Sequence, residues 1–314
     1  MDRFLEKADL GRILGHLRAL EGVRHPLAAP DALERAADYV AASLATLGYE
    51  VSEQLFPDKG KLFRNIVATR HGEVYPHERV VVVAHYDTVE GTPGADDNAS
   101  GVAVLLEAAA LLSRGRYEKT IHFVGVSLEE NVSEDDPDSG TRGSRALAAC
   151  ARANGWSIEG VVVLESVAYA GEQIVQTVPP GVLVPAPPNG NFIAVIGNEA
   201  SLELVSGMSR SIERQGDLPH VALAVPGNGG VLPDTRRSDH APFWDAGYRA
   251  IMLTDTTNFR NPHYHRPSDT LDTLNLDFAA KVCRATAVFV AELARPCLLP
   301  WRQDTPRHFS QQPF

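Results

Sequence analysis

Val80-Val81-Val82-Val83-Ala84-His85-Tyr86-Asp87 is an unbroken apolar run that stops at an imidazole and a carboxylate. Valine in such numbers favours a pleated strand, and apolarity at consecutive positions fits one covered on both faces. A second run of this kind, Val161-Val162-Val163-Leu164, stops at Glu165. Shorter β-rich runs lie at 49–55, 64–70, Ile121 to Leu128, Phe192 to Ile196, Val221 to Val225 and Ala250 to Thr254. Between many of them the apolar period lengthens to that of a helix, at 99–113, 143–153, 200–214 and 275–295. Two more helical patterns, 8–21 and 31–47, come first, the second opened by Pro30-Asp31 and closed by Gly48. This alternation predicts an α/β fold, a three-layer αβα sandwich whose central sheet is mixed but mostly parallel, with helices on both faces. We read residues 1–314 as one domain, with the helices of 1–48 packing on the core and 297–314 as a C-terminal tail.

Composition narrows the function. The 314 residues are 44% hydrophobic and 22% charged, the balance of a globular domain with a sizeable core. A formal net charge of −11 with no Lys/Arg-rich run argues against nucleic acid as a partner. No stretch reaches the ~20 apolar residues of a membrane span, and the first residues lack the apolar core of a secretory leader, so the expected location is the cytoplasm. Cys150, Cys283 and Cys297 are odd in number and far apart, which implies no disulfide framework; the first two fall in helical patterns and read as core filler. The sequons at Asn98 and Asn131 lie beside the candidate site described next, where a glycan would block it.

Five polar clusters stand where apolar runs stop: His85-Tyr86-Asp87, Asp96-Asp97-Asn98, Glu129-Glu130, Glu165 and His263-Tyr264-His265. Ionisable groups at the ends of buried strands are costly unless paired. Ligands of open α/β sheets bind outside the carboxyl ends of the strands, so the clusters share one location. Singly, each has a plainer reading: a satisfied strand-end histidine, helix-capping Asp96 and Asp97, a solvated Glu-Glu loop. Divalent cations would pair with all of them at once. Asp136-Pro137-Asp138-Ser139-Gly140 is superficially a calcium loop, but the distal glutamate and flanking helices are missing. His122 reads as packed within its strand, and Gly227-Asn228-Gly229-Gly230 as a turn.

The ordered set His85-Tyr86-Asp87, Gly94-Ala95-Asp96-Asp97-Asn98-Ala99-Ser100-Gly101, Glu129-Glu130, Ser238-Asp239-His240 and Tyr264-His265 with Asp269-Thr270 resembles the M28 family of co-catalytic zinc aminopeptidases. The resemblance runs from about residue 80 to residue 272. It implies two zinc ions, one held by His85, Asp97 and Glu165, the other by Asp97, Glu130 and His265, with Asp97 as the bridge and a cis peptide after it. It further implies that Asp87 orients His85, that Glu129 is the general base acting on a zinc-bridged hydroxide, and that Tyr264 donates to the oxyanion. Asp96 and His263 are then neighbours, and Ser238-Asp239-His240 supports the site or lines the cleft. The substrate expected is a peptide or aminoacyl compound cleaved after its N-terminal residue.

Two departures from the family pattern stand out. Glu165 occupies a position where the family more often has aspartate. An acidic insertion, 133–139, separates Glu130 from Gly143-Ser144 where the family has a short turn. Competing functions are a glutaminyl-peptide cyclase of the same fold, typically with one zinc, and a non-catalytic binding domain, whose relatives lose the ligands that this chain keeps.

Overall fold

The computed structural model describes residues 7–297 apart from 133–135, 137, 138, 183, 184 and 186. Most of the acidic insertion and the tail beyond Cys297 therefore lie outside the described residues. In chain order the elements are α1 (Leu10–Leu20), α2 (Pro30–Thr46), β1 (Glu50–Asp58), β2 (Lys61–Arg70), β3 (Tyr75–His85), α3 (Gly101–Leu112), β4 (Lys119–Val126), α4 (Arg142–Ala153) and β5 (Ser157–Glu165). There follow β6 (Gly171–Val175), β7 (Asn189–Gly190), β8 (Ile193–Asn198), α5 (Leu202–Gln215), β9 (His220–Val225), α6 (His240–Asp245), β10 (Ala250–Thr254) and α7 (Leu276–Ala294).

The main sheet has eight strands in the order β1-β2-β4-β3-β5-β10-β8-β9. Parallel ladders join β3 to β4, β3 to β5, β5 to β10 and β8 to β9. Antiparallel ladders join β1 to β2, β2 to β4 and β8 to β10. The sheet is thus mixed, as read from sequence. Period-two alternation then builds two cores. Val80, Val82 and Ala84 pack with α1, α2, α3, α5 and α7, whereas Val81 and Val83 pack with Leu147 of α4 and with Phe243 and Trp244 of α6.

Several boundaries differ from the sequence reading, each for a local reason. β4 stops at Val126, because Leu128 has φ +58° and turns the chain before the Glu-Glu pair. Between β5 and β8, residues 170–191 carry the short antiparallel pair β6 and β7. α3 begins at Gly101, after an irregular turn over Ala95–Ser100. Glycine is required there: a Cβ would lie 2.2 Å from Asn98 Oδ1 and 2.7 Å from the Leu164 carbonyl oxygen. Cys283 is fully buried in α7, but Cys150 is only half-buried on α4. His122 stacks on Trp156 with ring centroids 5.0 Å apart, so it is a packed residue. Among the described residues no helix is long and apolar enough to cross a membrane.

Candidate metal centre and active site

Sheet order brings the clusters together. His85 and Glu165 are the last residues of β3 and β5, which are neighbouring parallel strands, so their side chains leave the sheet side by side. Glu129 and Glu130 follow β4, on the other flank of β3. Asp97 comes from the turn that enters α3, and its peptide bond to Asn98 is cis, as the resemblance implies. His265 lies in the loop after β10, at φ +56°.

Asp97 stands at the centre. Its Oδ1 is 3.2 Å from His85 Nε2 and its Oδ2 is 3.2 Å from His265 Nε2. On the first side Glu165 Oε2 is 3.5 Å from His85 Nε2; on the second Glu130 Oε2 is 3.3 Å from His265 Nε2. Two sets of donors therefore share one carboxylate. The sets adjoin closely enough that single donor atoms of His85, Asp97 and Glu130, drawn from both, lie within 4.8 Å of one another. Glu129 Oε2 is 3.9 Å from His85 Nε2. His263 is turned elsewhere, with Nδ1 2.9 Å from Ser268 Oγ and its ring edge-on to Tyr169.

Whether this set suits a metal follows from its unsatisfied atoms. His85 Nε2, Asp97 Oδ1, Glu130 Oε1 and His265 Nε2 are buried without a hydrogen-bond partner among the described residues. Such atoms are rare in native interiors and costly unless an ion or water answers them. Nitrogen and carboxylate donors converging from different elements are the donor types of a catalytic zinc site. The residues fit the ion.

The electrostatics agree. Burial pushes the Glu130 carboxyl up to about 7, helped by the charge of Asp97. Burial likewise holds Glu129 well above the usual carboxylate range, although His85 opposes it. Burial should depress His85, but Glu165 and Glu129 outweigh it and hold the imidazole well above its ordinary value. His265 is raised to about 10, its burial outweighed by Glu130 and Asp97. The two imidazoles thus stand among converging carboxylates, a cluster whose negative charge divalent cations would balance.

A supporting set of hydrogen bonds fixes these groups. Asp87 accepts from the backbone N–H groups of Glu129 and Glu130, both at 3.1 Å, and lies 3.5 Å from His85 Nδ1. Asp269 accepts from the Asp96 and Asp97 amides at 2.9 and 3.2 Å. Asn98 ties the turn to β5, donating to the Leu164 carbonyl and accepting from Gly101 and Ser166 N–H. Ser238 donates to Glu165 Oε2 at 2.6 Å. Asp239 is fully buried near His85 and Glu165, and its carboxyl is pushed up to about 7, by burial first. Asp96 faces away, accepting from Ala168 N–H and Asn261 Nδ2. Arg24, 3% exposed, donates to the Tyr86, Pro93 and Gly94 carbonyls and so pins the loop after β3. The contacts of Ser238, Asp269 and Arg24 were not readable from sequence; membership of Ser238 and Asp269 in the ordered motif was the available signal.

Tyr264 stacks on His265, ring centroids 3.8 Å apart, and its Oη accepts from Arg237 Nη2 at 3.3 Å. Beside Glu129, Glu165 and Tyr264 opens a cavity of about 110 Å³ walled by Phe192, Ile196, Val221, Leu223 and Met252, with Val178 and Val182 over it. A wider cleft, of about 870 Å³, starts from Glu129, Glu130, Tyr264 and His265 and runs along α4. The site thus joins a clustered set of metal-type donors, an ionisable carboxyl and a phenol to one apolar and one polar recess.

The sequence profile of Peptidase family M28 matches residues 65–290. The chain belongs to peptidase family M28. Membership of this peptidase family supports a metallopeptidase, hence a hydrolase. YfbL of Escherichia coli strain K12 is 34% identical over 280 residues, covering 85% of this chain and 83% of YfbL. Leucine aminopeptidase 1 of Trichophyton equinum is 28% identical over 249 residues, 74% of this chain but 58% of that protein. The M28 chain therefore spans little more than half of that fungal relative. Among solved structures, LapB from Legionella pneumophila superposes with a TM-score of 0.74 at 21% identity, over 93% of this chain and 74% of LapB. Porphyromonas gingivalis glutaminyl cyclase superposes with a TM-score of 0.68 at 20% identity, over 92% of this chain and 98% of the cyclase. These two likenesses are of fold.

Proposed function

We propose that this M28 chain is a two-zinc aminopeptidase that removes apolar N-terminal residues from peptides. The observation that carries the reading is Asp97, with each carboxylate oxygen 3.2 Å from a different imidazole Nε2. In this reading His85, Asp97 and Glu165 hold one ion, and Asp97, Glu130 and His265 the other. Curated relatives named as leucine aminopeptidases and a probable zinc metalloprotease support both the metal and the activity. Zinc, when bound, would supply Lewis acidity toward the scissile carbonyl and toward water.

The side chains do the rest. Glu129 takes a proton from the attacking water at its carboxylate and returns it to the departing amine; a carboxyl raised above its ordinary range by burial is the stronger acceptor. Arginine only donates, so the 3.3 Å bond from Arg237 leaves the Tyr264 hydroxyl hydrogen free to point at the carbonyl oxygen as it gains charge. Asp87 keeps Glu129 and Glu130 in place through their backbone N–H groups. The apolar cavity receives the first side chain, and the carboxylates around it suit a cationic amino terminus.

Likeness of fold to a glutaminyl cyclase supports a second reading, in which an N-terminal glutamine closes on itself with loss of ammonia. An assay of purified, zinc-loaded protein on leucyl, methionyl and phenylalanyl anilides and on a glutaminyl peptide separates the two. Aniline release from the apolar substrates is expected. Ammonia release from the glutaminyl peptide without peptide cleavage would overturn the aminopeptidase reading.

A further inference from the structure

The larger cleft shares Glu129, Tyr264, Asp234 and Arg237 with the apolar cavity but has different walls. α4 starts just beyond the Glu-Glu pair, where the Thr141 amide donates to the Glu129 carbonyl, and then leads away along the cleft. A substrate whose first side chain fills the apolar cavity, with its amide at Glu129 and Tyr264, passes its departing part into this cleft.

The cleft is lined by four arginines, Arg145, Arg152, Arg236 and Arg237, and by no lysine, on a chain of net charge −11. Asp245 pairs with Arg236 at 2.7 Å and Asp234 with Arg237 at 3.4 Å. Arg145 donates to Thr141 Oγ1 at 3.0 Å. Arg152 is different: its contact is a 3.4 Å bond to the Ala246 carbonyl, and it has no carboxylate partner among the described residues. Arg145 and Arg152 are seven residues apart, so they share one face of α4 about 10.5 Å apart along its axis. Ala148 and Ala149 between them leave the floor open. Arg152 follows Arg142 by ten residues, which sets it about 15 Å along the axis from the end of α4 beside the Glu-Glu pair, a distance that an extended peptide covers in about four to five residues.

We propose that this cleft recognises carboxylates on the departing part of the substrate, about four to five residues after the cleaved bond, with Arg152 as the principal contact. The proposal rests on the aminopeptidase reading. Guanidinium groups pair with carboxylates through two parallel hydrogen bonds, which a carboxamide cannot reproduce. The carboxylate can come from the free C-terminus of a short peptide or from an acidic side chain, and the substrates below separate these sources.

The test measures kcat/KM at low ionic strength for Leu-Gly-Gly-Gly-Gly against its C-terminal amide, and for Leu-Gly-Gly-Gly-Glu-amide against Leu-Gly-Gly-Gly-Gln-amide. Leucyl anilide, which carries no carboxylate, is the control. Wild-type protein should prefer the carboxylate member of at least one pair by about five- to tenfold, and the pair that responds identifies the source. Arg152→Gln should bring that ratio to within about twofold of one, whereas an arginine with only a structural role would lower both members in parallel. Leucyl anilide turnover with ratios of one in wild type, or ratios that survive Arg152→Gln, would overturn the proposal while leaving the aminopeptidase reading intact. Failure to release leucine from any substrate, anilide included, would overturn that reading and the proposal with it.

Discussion

Glutamine at position 129 keeps the length of the side chain and the backbone N–H bond to Asp87 Oδ1, 3.1 Å in the native protein, but cannot accept a proton as carboxylate does. General acid–base catalysis contributes about 10²–10⁴-fold. Glu129 belongs in the upper half of that range. It is 8% exposed and lies 3.9 Å from His85 Nε2, so bulk water has little access to replace it. Its burial also holds the carboxyl well above its ordinary value, which strengthens it as a proton acceptor. Glu129→Gln should therefore lower kcat by about 10³–10⁴-fold, or about 4–5.5 kcal/mol of transition-state stabilisation. KM should move little, because glutamine keeps the size of the side chain at the edge of the apolar cavity. Zinc content should equal that of the wild type, since the two donor sets do not use Glu129. The assay is steady-state hydrolysis of a leucyl anilide near pH 7.5, with metal measured on the same preparation. Activity within tenfold of wild type at equal zinc content would refute the assignment of the base.

Two further outcomes follow from the hydrogen bonds and charges around the centre. Ser238→Ala removes the 2.6 Å donor to Glu165 Oε2 and should weaken zinc at the ion nearest His85 by about 10–100-fold, read by competition with a chelating dye; unchanged affinity would leave Ser238 without a supporting role. Without metal, Glu130 and Asp97 hold His265 at about 10, and Glu165 and Glu129 hold His85 above its ordinary value, so zinc competes with protons for these rings. Calorimetry in buffers of different ionisation heat should show proton release on loading and an affinity that rises with pH; a pH-independent affinity between about pH 6 and 8 would contradict this. Conversely, stripping zinc from protein held at about 100 times Kd should lower Tm by about 5–10 °C, because the buried carboxylates lose their cations.

Much of the centre was legible because a strand covered on both faces tolerates polar groups only where it ends. His85 and Glu165 each close such a run, and the structure sets them 3.5 Å apart. The distinction between Asp97 and Asp96 came from the resemblance to the M28 family, which makes Asp97 the bridge; in the structure Asp96 accepts from Ala168 N–H and Asn261. What could not be read depends on pairings between distant residues. Ser238 reaches Glu165 across 73 positions, and Asp269 reaches the Asp97 amide across 172. No local pattern encodes either. The apolar cavity was hidden for another reason: Ile196, Leu223 and Met252 look like ordinary core residues of β8, β9 and β10. Only the order β5-β10-β8-β9 brings them together beside Glu165 as a wall. Arg24 sits in a connection whose sequence gives no sign of burial, yet it anchors the loop between His85 and Asp97.

The most direct test of the account is to locate and count the ions. Anomalous diffraction at the zinc edge from zinc-soaked crystals, with elemental analysis of the same protein, should show two sites about 3.5–4 Å apart on either side of the Asp97 carboxylate. Asp97→Asn should lose both. A single ion under saturating zinc, or two ions that do not share Asp97, would contradict the central claim.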